Sequence, residues 1–166
     1  AVCRDGSLMR ALVGLLGDVE HGLEPLERDA AVGALAEALL KLDPSCALKS
    51  AEKSAMQACE WARDFLSESR DEAIDSAQLE AITGLDRYAL ARQFRRRYGT
   101  SPHHYLVMRR LERARLLIRQ GEALAEAAAA SGFADQSHMT RHFRKAYGQS
   151  PGRWRAMQVG DRPHAA

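Results

Sequence analysis

The chain has 166 residues, 46% of them hydrophobic and 28% charged, which is enough for one ordinary domain or two small ones. No apolar run approaches the ~20 residues of a membrane span, the first residues lack the basic-then-apolar order of a secretory signal, and Cys3, Cys46 and Cys59 are too scattered for a disulfide framework or a CxxC zinc site. The net charge of +2 hides a split: residues 1–80 carry 8 Lys and Arg against 16 Asp and Glu, whereas residues 81–166 carry 16 against 6. That asymmetry suggests an acidic module joined to one that meets a polyanion. Its plainer reading is two solvated surfaces of opposite sign, and charge alone does not choose between them. The chain starts Ala1-Val2-Cys3 without an initiator Met and is expected to be a fragment of a longer protein.

Alternating β-branched runs are missing, and Ala, Leu, Glu and Arg recur at helical spacing, so the fold class is all-α. Residues 7–20 read as a short helix capped by Ser7, with Leu8, Leu12, Leu15 or Leu16, and Val19 in register. A second helix starts near Pro25 and runs to Leu42, with Val32, Leu35, Leu39 and Leu42 on one face. Together they predict a helical hairpin over 1–42, a regulatory or dimerisation element. Pro44 stops the second helix, and 43–51 reads as a linker. The next helix runs from Ala51 to about Ser69, with Ala55, Ala58, Trp61, Ala62, Phe65 and Leu66 on its apolar side.

Short helices then alternate with Gly- and Ser-Pro-containing turns. Ser76–Ile82, the turn Thr83-Gly84-Leu85, and a helix capped by Asp86 and running to about Arg97 form one helix-turn-helix. The stretch from Ser101 to Gln120, with Pro102 near its start and Tyr105, Leu106, Leu111, Ala114, Leu117 and Ile118 suited to burial, forms a linker helix. Ala123–Ala130, the turn Ser131–Ala134, and a helix capped by Asp135 and running to about Ala146 form a second helix-turn-helix. Residues 158–166 read as a flexible tail.

The two units are copies. An offset of 49 residues pairs Asp86 with Asp135, Arg92 with Arg141, Phe94 with Phe143, Arg95 with Arg144 and Tyr98 with Tyr147, then Gly99-x-Ser101-Pro102 with Gly148-x-Ser150-Pro151. Eight identities within residues 86–102 mark a duplicated unit. On a 100°-per-residue wheel, Leu90 and Phe94 share one face of the first helix, and Tyr88, Arg92 and Arg95 lie opposite, flanked by Ala91 and Arg96. In the second, Met139 and Phe143 face the core, while Ser137, Thr140, Arg141 and Arg144 face out, with Gln136 at the N-terminal end. Such outward sets suit a major groove. Arg bonds guanine with two N–H groups, Gln matches adenine, and Thr bonds a base edge or touches the thymine methyl. The later basic residues Arg95, Arg96, Arg144 and Lys145 are placed for phosphate. Two such helices on one face of B-DNA would enter successive major grooves about 34 Å apart.

Gly99-Thr-Ser-Pro-His-His-Tyr-Leu-Val-Met-Arg-Arg-Leu-Glu-Arg-Ala114, followed by Gly132-Phe-Ala-Asp-Gln-Ser-His-Met-Thr-Arg-His-Phe-Arg-Lys-Ala-Tyr-Gly-Gln-Ser-Pro151, resembles the DNA-binding domain of AraC/XylS-type bacterial transcription regulators, over about residues 52–157. The resemblance implies two helix-turn-helix units, a linker helix, promoter binding in the cytoplasm, and activation through RNA polymerase. By position it makes Arg87, Tyr88, Ala91 and Arg92 base-facing in the first unit, and Gln136, Ser137, Thr140 and Arg141 in the second. Ala91 departs from the pattern, since a longer polar residue often sits there. Residues 1–42 are similar to the helices that end the regulatory domain of larger members; the β-barrel of that domain has no counterpart, so no effector is assigned.

Competing readings are weaker. His138 and His142 have the i, i+4 spacing of a metal pair but lack the Glu of HExxH or a third ligand, so packing or hydrogen bonding is expected. Ser131, Ser137 and Ser150 stand in no nucleophile context. Repair methyltransferases with a similar domain need a zinc cluster of cysteines, which three scattered thiols do not supply. The chain is therefore expected to be no enzyme and to need no cofactor or metal. An interaction module, dimerising through residues 7–42 and binding DNA mainly without specificity, is the alternative.

Overall fold

The computed structural model describes Met9, Val13 and residues 25–42, 52–69 and 74–160, and among them every regular element is helix. Eight helices have defined bounds there: α1 Pro25–Leu42, α2 Glu52–Glu68, α3 Ser76–Thr83, α4 Arg87–Tyr98, α5 Pro102–Gln120, α6 Leu124–Ala129, α7 Gln136–Tyr147 and α8 Pro151–Gly160. Of the expected first helix, only Met9 and Val13 are described, and both are helical. The linker at 43–51 lies outside the described residues. Helix α8 continues past Met157 to Gly160, into the segment expected as a tail; residues 161–166 are not described.

The duplication is visible in how the helices begin and end. Asp86 caps α4 by accepting from the N–H groups of Tyr88 and Ala89, and Asp135 caps α7 by accepting from His138 N–H. Each cap satisfies donors that have no partner within the helix. Asp86 and Asp135 stand as the caps expected of them, and each helix runs one residue beyond the expected end, to Tyr98 and Tyr147. Both end at a glycine in the left-handed region, Gly99 at φ 72° and Gly148 at φ 71°, whose N–H bonds back to Arg95 or Arg144. After each glycine a Ser-Pro pair starts the next helix. The hydroxyl of Ser101 accepts from His104 N–H at 3.2 Å, and that of Ser150 from Arg153 N–H at 3.3 Å, while proline fills the first position, where no N–H is needed.

The chain divides into two compact units, one holding α1, α2 as far as Leu66, α3, α4 and the start of α5 as far as Tyr105, the other the end of α2 and the rest of α5 with α6 to α8. In the first, Leu79, Leu90 and Phe94 are essentially inaccessible, as are Ala58, Cys59, Ala62 and Leu66 of α2. The Phe94 ring meets Tyr98 at 4.7 Å and Tyr105 edge-on at 5.7 Å. Burial pushes the Cys59 thiol up from its ordinary pKa. Trp61, expected on the buried side of α2, is 48% exposed; the small residues Ala55, Ala58 and Ala62 form that side, and the indole is left on its flank. Helix α1 packs on α4 and α3. It buries Leu26, Gly33 and Ala38, while Val32 and Leu35, two of the four residues expected on its apolar face, are only half-buried, and the side chains of Leu39 and Leu42 lie outside the described residues.

In the second unit, Val107, Leu111, Ala114 and Ile118 of α5 close on Ala127, Ala128, Phe133, Met139, Phe143 and Trp154. Phe143 lies 4.7 Å from Tyr147 and 5.9 Å from Trp154. The Arg115 guanidinium covers both outer rings, 4.9 Å from Tyr147 and 5.2 Å from Trp154. Arg113 Nε donates to the Ala130 carbonyl at 2.7 Å, fastening the turn after α6 to α5. Arg110, 1% exposed, is a deep guanidinium that the periodicity of α5 does not announce.

Candidate nucleic-acid interface

Helix α7 has a core side and an open side. Met139 and Phe143 are fully buried, so their anchoring fixes the rotation of the helix. Gln136 and Ser137 are exposed, Thr140 and Arg141 half-buried, and Arg144 and Lys145 exposed. The four residues expected to face bases therefore share the open side, with the two cations in the last turn, where the helix dipole also favours positive charge. The capping carboxylate of Asp135 is held below the usual range, first by the hydrogen bond from His138 N–H. His138 is buried and His142 half-buried. Their Nε2 atoms are 2.9 Å apart and the His138 ring stands edge-on to Phe133.

Helix α4 is built the same way and dressed differently. Leu90 and Phe94 anchor it. Tyr88 is 45% exposed, Arg92 is half-buried and Arg96 exposed. Arg87 N–H donates to Glu80 Oε1 at 2.7 Å, and its guanidinium reaches Asp29 at 3.2 Å and Glu80 at 3.6 Å. The Asp29 charge raises the Arg87 pKa further. Arg95 donates from Nη2 to the Ala30 carbonyl at 3.1 Å. Ala91, assigned to the reading face by resemblance, is only 7% exposed. A Cβ added to Gly33 of α1 would lie 3.7 Å from the Ala91 Cβ.

Each unit thus gathers its own candidate residues on one helix: Arg87, Tyr88, Ala91, Arg92, Arg95 and Arg96 on α4, and Gln136, Ser137, Thr140, Arg141, Arg144 and Lys145 on α7. The approach of Asp29 and Ala30 to α4 was not foreseen. The acidic bias of residues 1–80 was the one signal that pointed toward it. Among the described residues, no helix is long and apolar enough to cross a membrane.

Known proteins are similar to this chain in sequence and in fold. Residues 79–157 match the family described as a helix-turn-helix domain. An uncharacterized HTH-type transcriptional regulator of Bacillus subtilis (strain 168), YbfI, is 37% identical over 76 residues, 46% of this chain. The match spans only 28% of the length of that curated relative. The DNA-binding domain of AdpA, a global transcriptional factor solved in complex with a target DNA, is 28% identical with a TM-score of 0.55, over 67% of this chain and 97% of that one. A probable AraC family transcriptional regulator from Rhodopseudomonas palustris CGA009 shares the fold with a TM-score of 0.56 at 24% identity, over 64% of this chain and 99% of that one.

Proposed function

We propose that the chain is a helix-turn-helix transcription regulator of the AraC type, a reading supported by the match of residues 79–157 to a helix-turn-helix domain, and that it reads a promoter sequence with α4 and α7 in successive major grooves. The observation that carries this reading is the open side of α7, where Gln136, Ser137, Thr140 and Arg141 stand over the buried Met139 and Phe143. Gln and Arg supply the paired donors and acceptors that distinguish adenine and guanine edges. Arg95, Arg96, Arg144 and Lys145 hold the register through phosphate. Tyr88 and Arg92 carry the reading on α4, where Ala91 offers only a methyl. The protein acts in the bacterial cytoplasm as an activator that meets RNA polymerase, and residues 7–42 supply contacts for a homodimer.

Random-site selection with the purified chain tests the reading. It should enrich a site with two blocks of fixed bases roughly one helical turn, 10–10.5 bp, apart. A selected pool with no enriched sequence, binding as tightly as unselected DNA, would leave only non-specific attraction.

A further inference from the structure

Arg87, Ala91 and Arg95 are each four residues apart, so they form one stripe along α4. Helix α1 touches all three. The Asp29 carboxylate pairs with Arg87 and also accepts from the Ser76 hydroxyl on α3, joining both helices of the first helix-turn-helix. The Ala30 carbonyl occupies Arg95, and Gly33 comes close over Ala91 and Tyr88. Asp29 is only 11% exposed in its side chain. A carboxylate and a carbonyl present to these guanidiniums the same kind of acceptor oxygens as phosphate or a guanine edge. The N–H groups that α1 engages, on Arg87 Nη1 and Arg95 Nη2, are not offered to DNA while it is docked.

The duplication supplies an internal control. At the 49-residue offset the same stripe on α7 is Gln136, Thr140 and Arg144; Gln136 and Arg144 are exposed and Thr140 is half-buried. Among the described residues, α1 places its ion pair with Arg87 and its hydrogen bond with Arg95 on the first unit's stripe. The contact has one large apolar residue, Leu26, beside small ones, and an ion pair whose arginine is 43% exposed and is therefore screened by salt. It is suited to a helix that docks and leaves.

Resting on the reading of α4 as a DNA-reading helix, we propose that α1 is an intramolecular mask: docked, it closes the first helix-turn-helix to DNA, and full binding requires its release. The apparent affinity is then the intrinsic affinity reduced by the fraction of molecules with α1 undocked.

The Cβ separation of 3.7 Å between a residue at 33 and Ala91 suits a disulfide, whose Cβ atoms lie about 3.5–4.5 Å apart. The test is the full-length double variant Gly33→Cys/Ala91→Cys, with Cys3 and Cys46 replaced by Ser and the buried Cys59 retained. Fluorescence anisotropy would follow binding to a fluorescein-labelled duplex recovered by random-site selection. The oxidised form should bind at least about tenfold more weakly than the same sample after reduction, and Asp29→Ala should bind several-fold more tightly than the parent. Failure to form the crosslink, equal affinity of the oxidised and reduced forms, or an unchanged Kd for Asp29→Ala each overturns the mask while leaving the DNA reading intact. If the parent, the reduced variant and Asp29→Ala bind no duplex at any salt concentration, the DNA reading falls and the mask with it.

Discussion

Asp86 and Asp135 occupy equivalent positions and do the same local work of capping a helix. The His138 N–H bonds to the ionised Asp135 carboxylate and lowers its pKa. A carboxylate depressed on folding contributes stability above its unfolded pKa and loses it as pH falls through the lower folded value. An acid titration of stability should therefore be shallower for Asp135→Asn than for the parent below the ordinary carboxylate range. Asp86 accepts from two N–H groups, and Asp86→Ala should cost about 1 kcal/mol in urea unfolding, the usual loss for a cap. The arginines of α7 separate by position. Arg141→Ala should cost about 1–3 kcal/mol on the selected site and relax preference at one base pair. Arg144→Ala should weaken binding to every sequence alike and reduce the salt slope by roughly one. Anisotropy on selected and scrambled duplexes across a salt series distinguishes them, and equal losses on both duplexes for Arg141→Ala would remove it from the base-reading set.

Helices α4 and α7 are oriented by their buried aromatics before any outward residue matters. Phe143 is inaccessible and packs against Tyr147 and Trp154, so Phe143→Ala should lower the stability of the second unit by about 3–5 kcal/mol in a thermal or urea melt, with affinity lost through unfolding. The start and stop of these helices could be read in the sequence because they are local. An aspartate cap, a left-handed glycine and a Ser-Pro start all lie within a few residues of the ends they define. The outward set of α7 was legible for the same reason, since one helical period and two apolar residues fix it. The docking of α1 was not. Asp29 and Arg87 are far apart in the chain, and the wheel favoured Val32 and Leu35 where Gly33 and Ala38 are the buried residues. Close packing selected the small side chains, as it did on α2, where three alanines outranked Trp61. Arg110 escaped notice because burial of a guanidinium depends on tertiary partners.

At the scale of the whole molecule, the split between an acidic first half and a basic second half should govern how binding responds to ionic strength. Four phosphate candidates, Arg95, Arg96, Arg144 and Lys145, predict a slope of log K against log salt of roughly −3 to −4. A slope near zero would show that the cations of α4 and α7 do not meet the backbone. The two units also carry unlike tryptophans. Trp61 in the first is half open to solvent, and Trp154 in the second is 7% exposed beneath the Arg115 guanidinium; the sequence holds no others. Indole emission shifts to the red in water and to the blue in an apolar setting. The chain therefore has a native fluorophore in each unit, at opposite ends of that range, so the blue edge of its emission reports the melting of the second unit and the red edge what happens around the first, with no label attached.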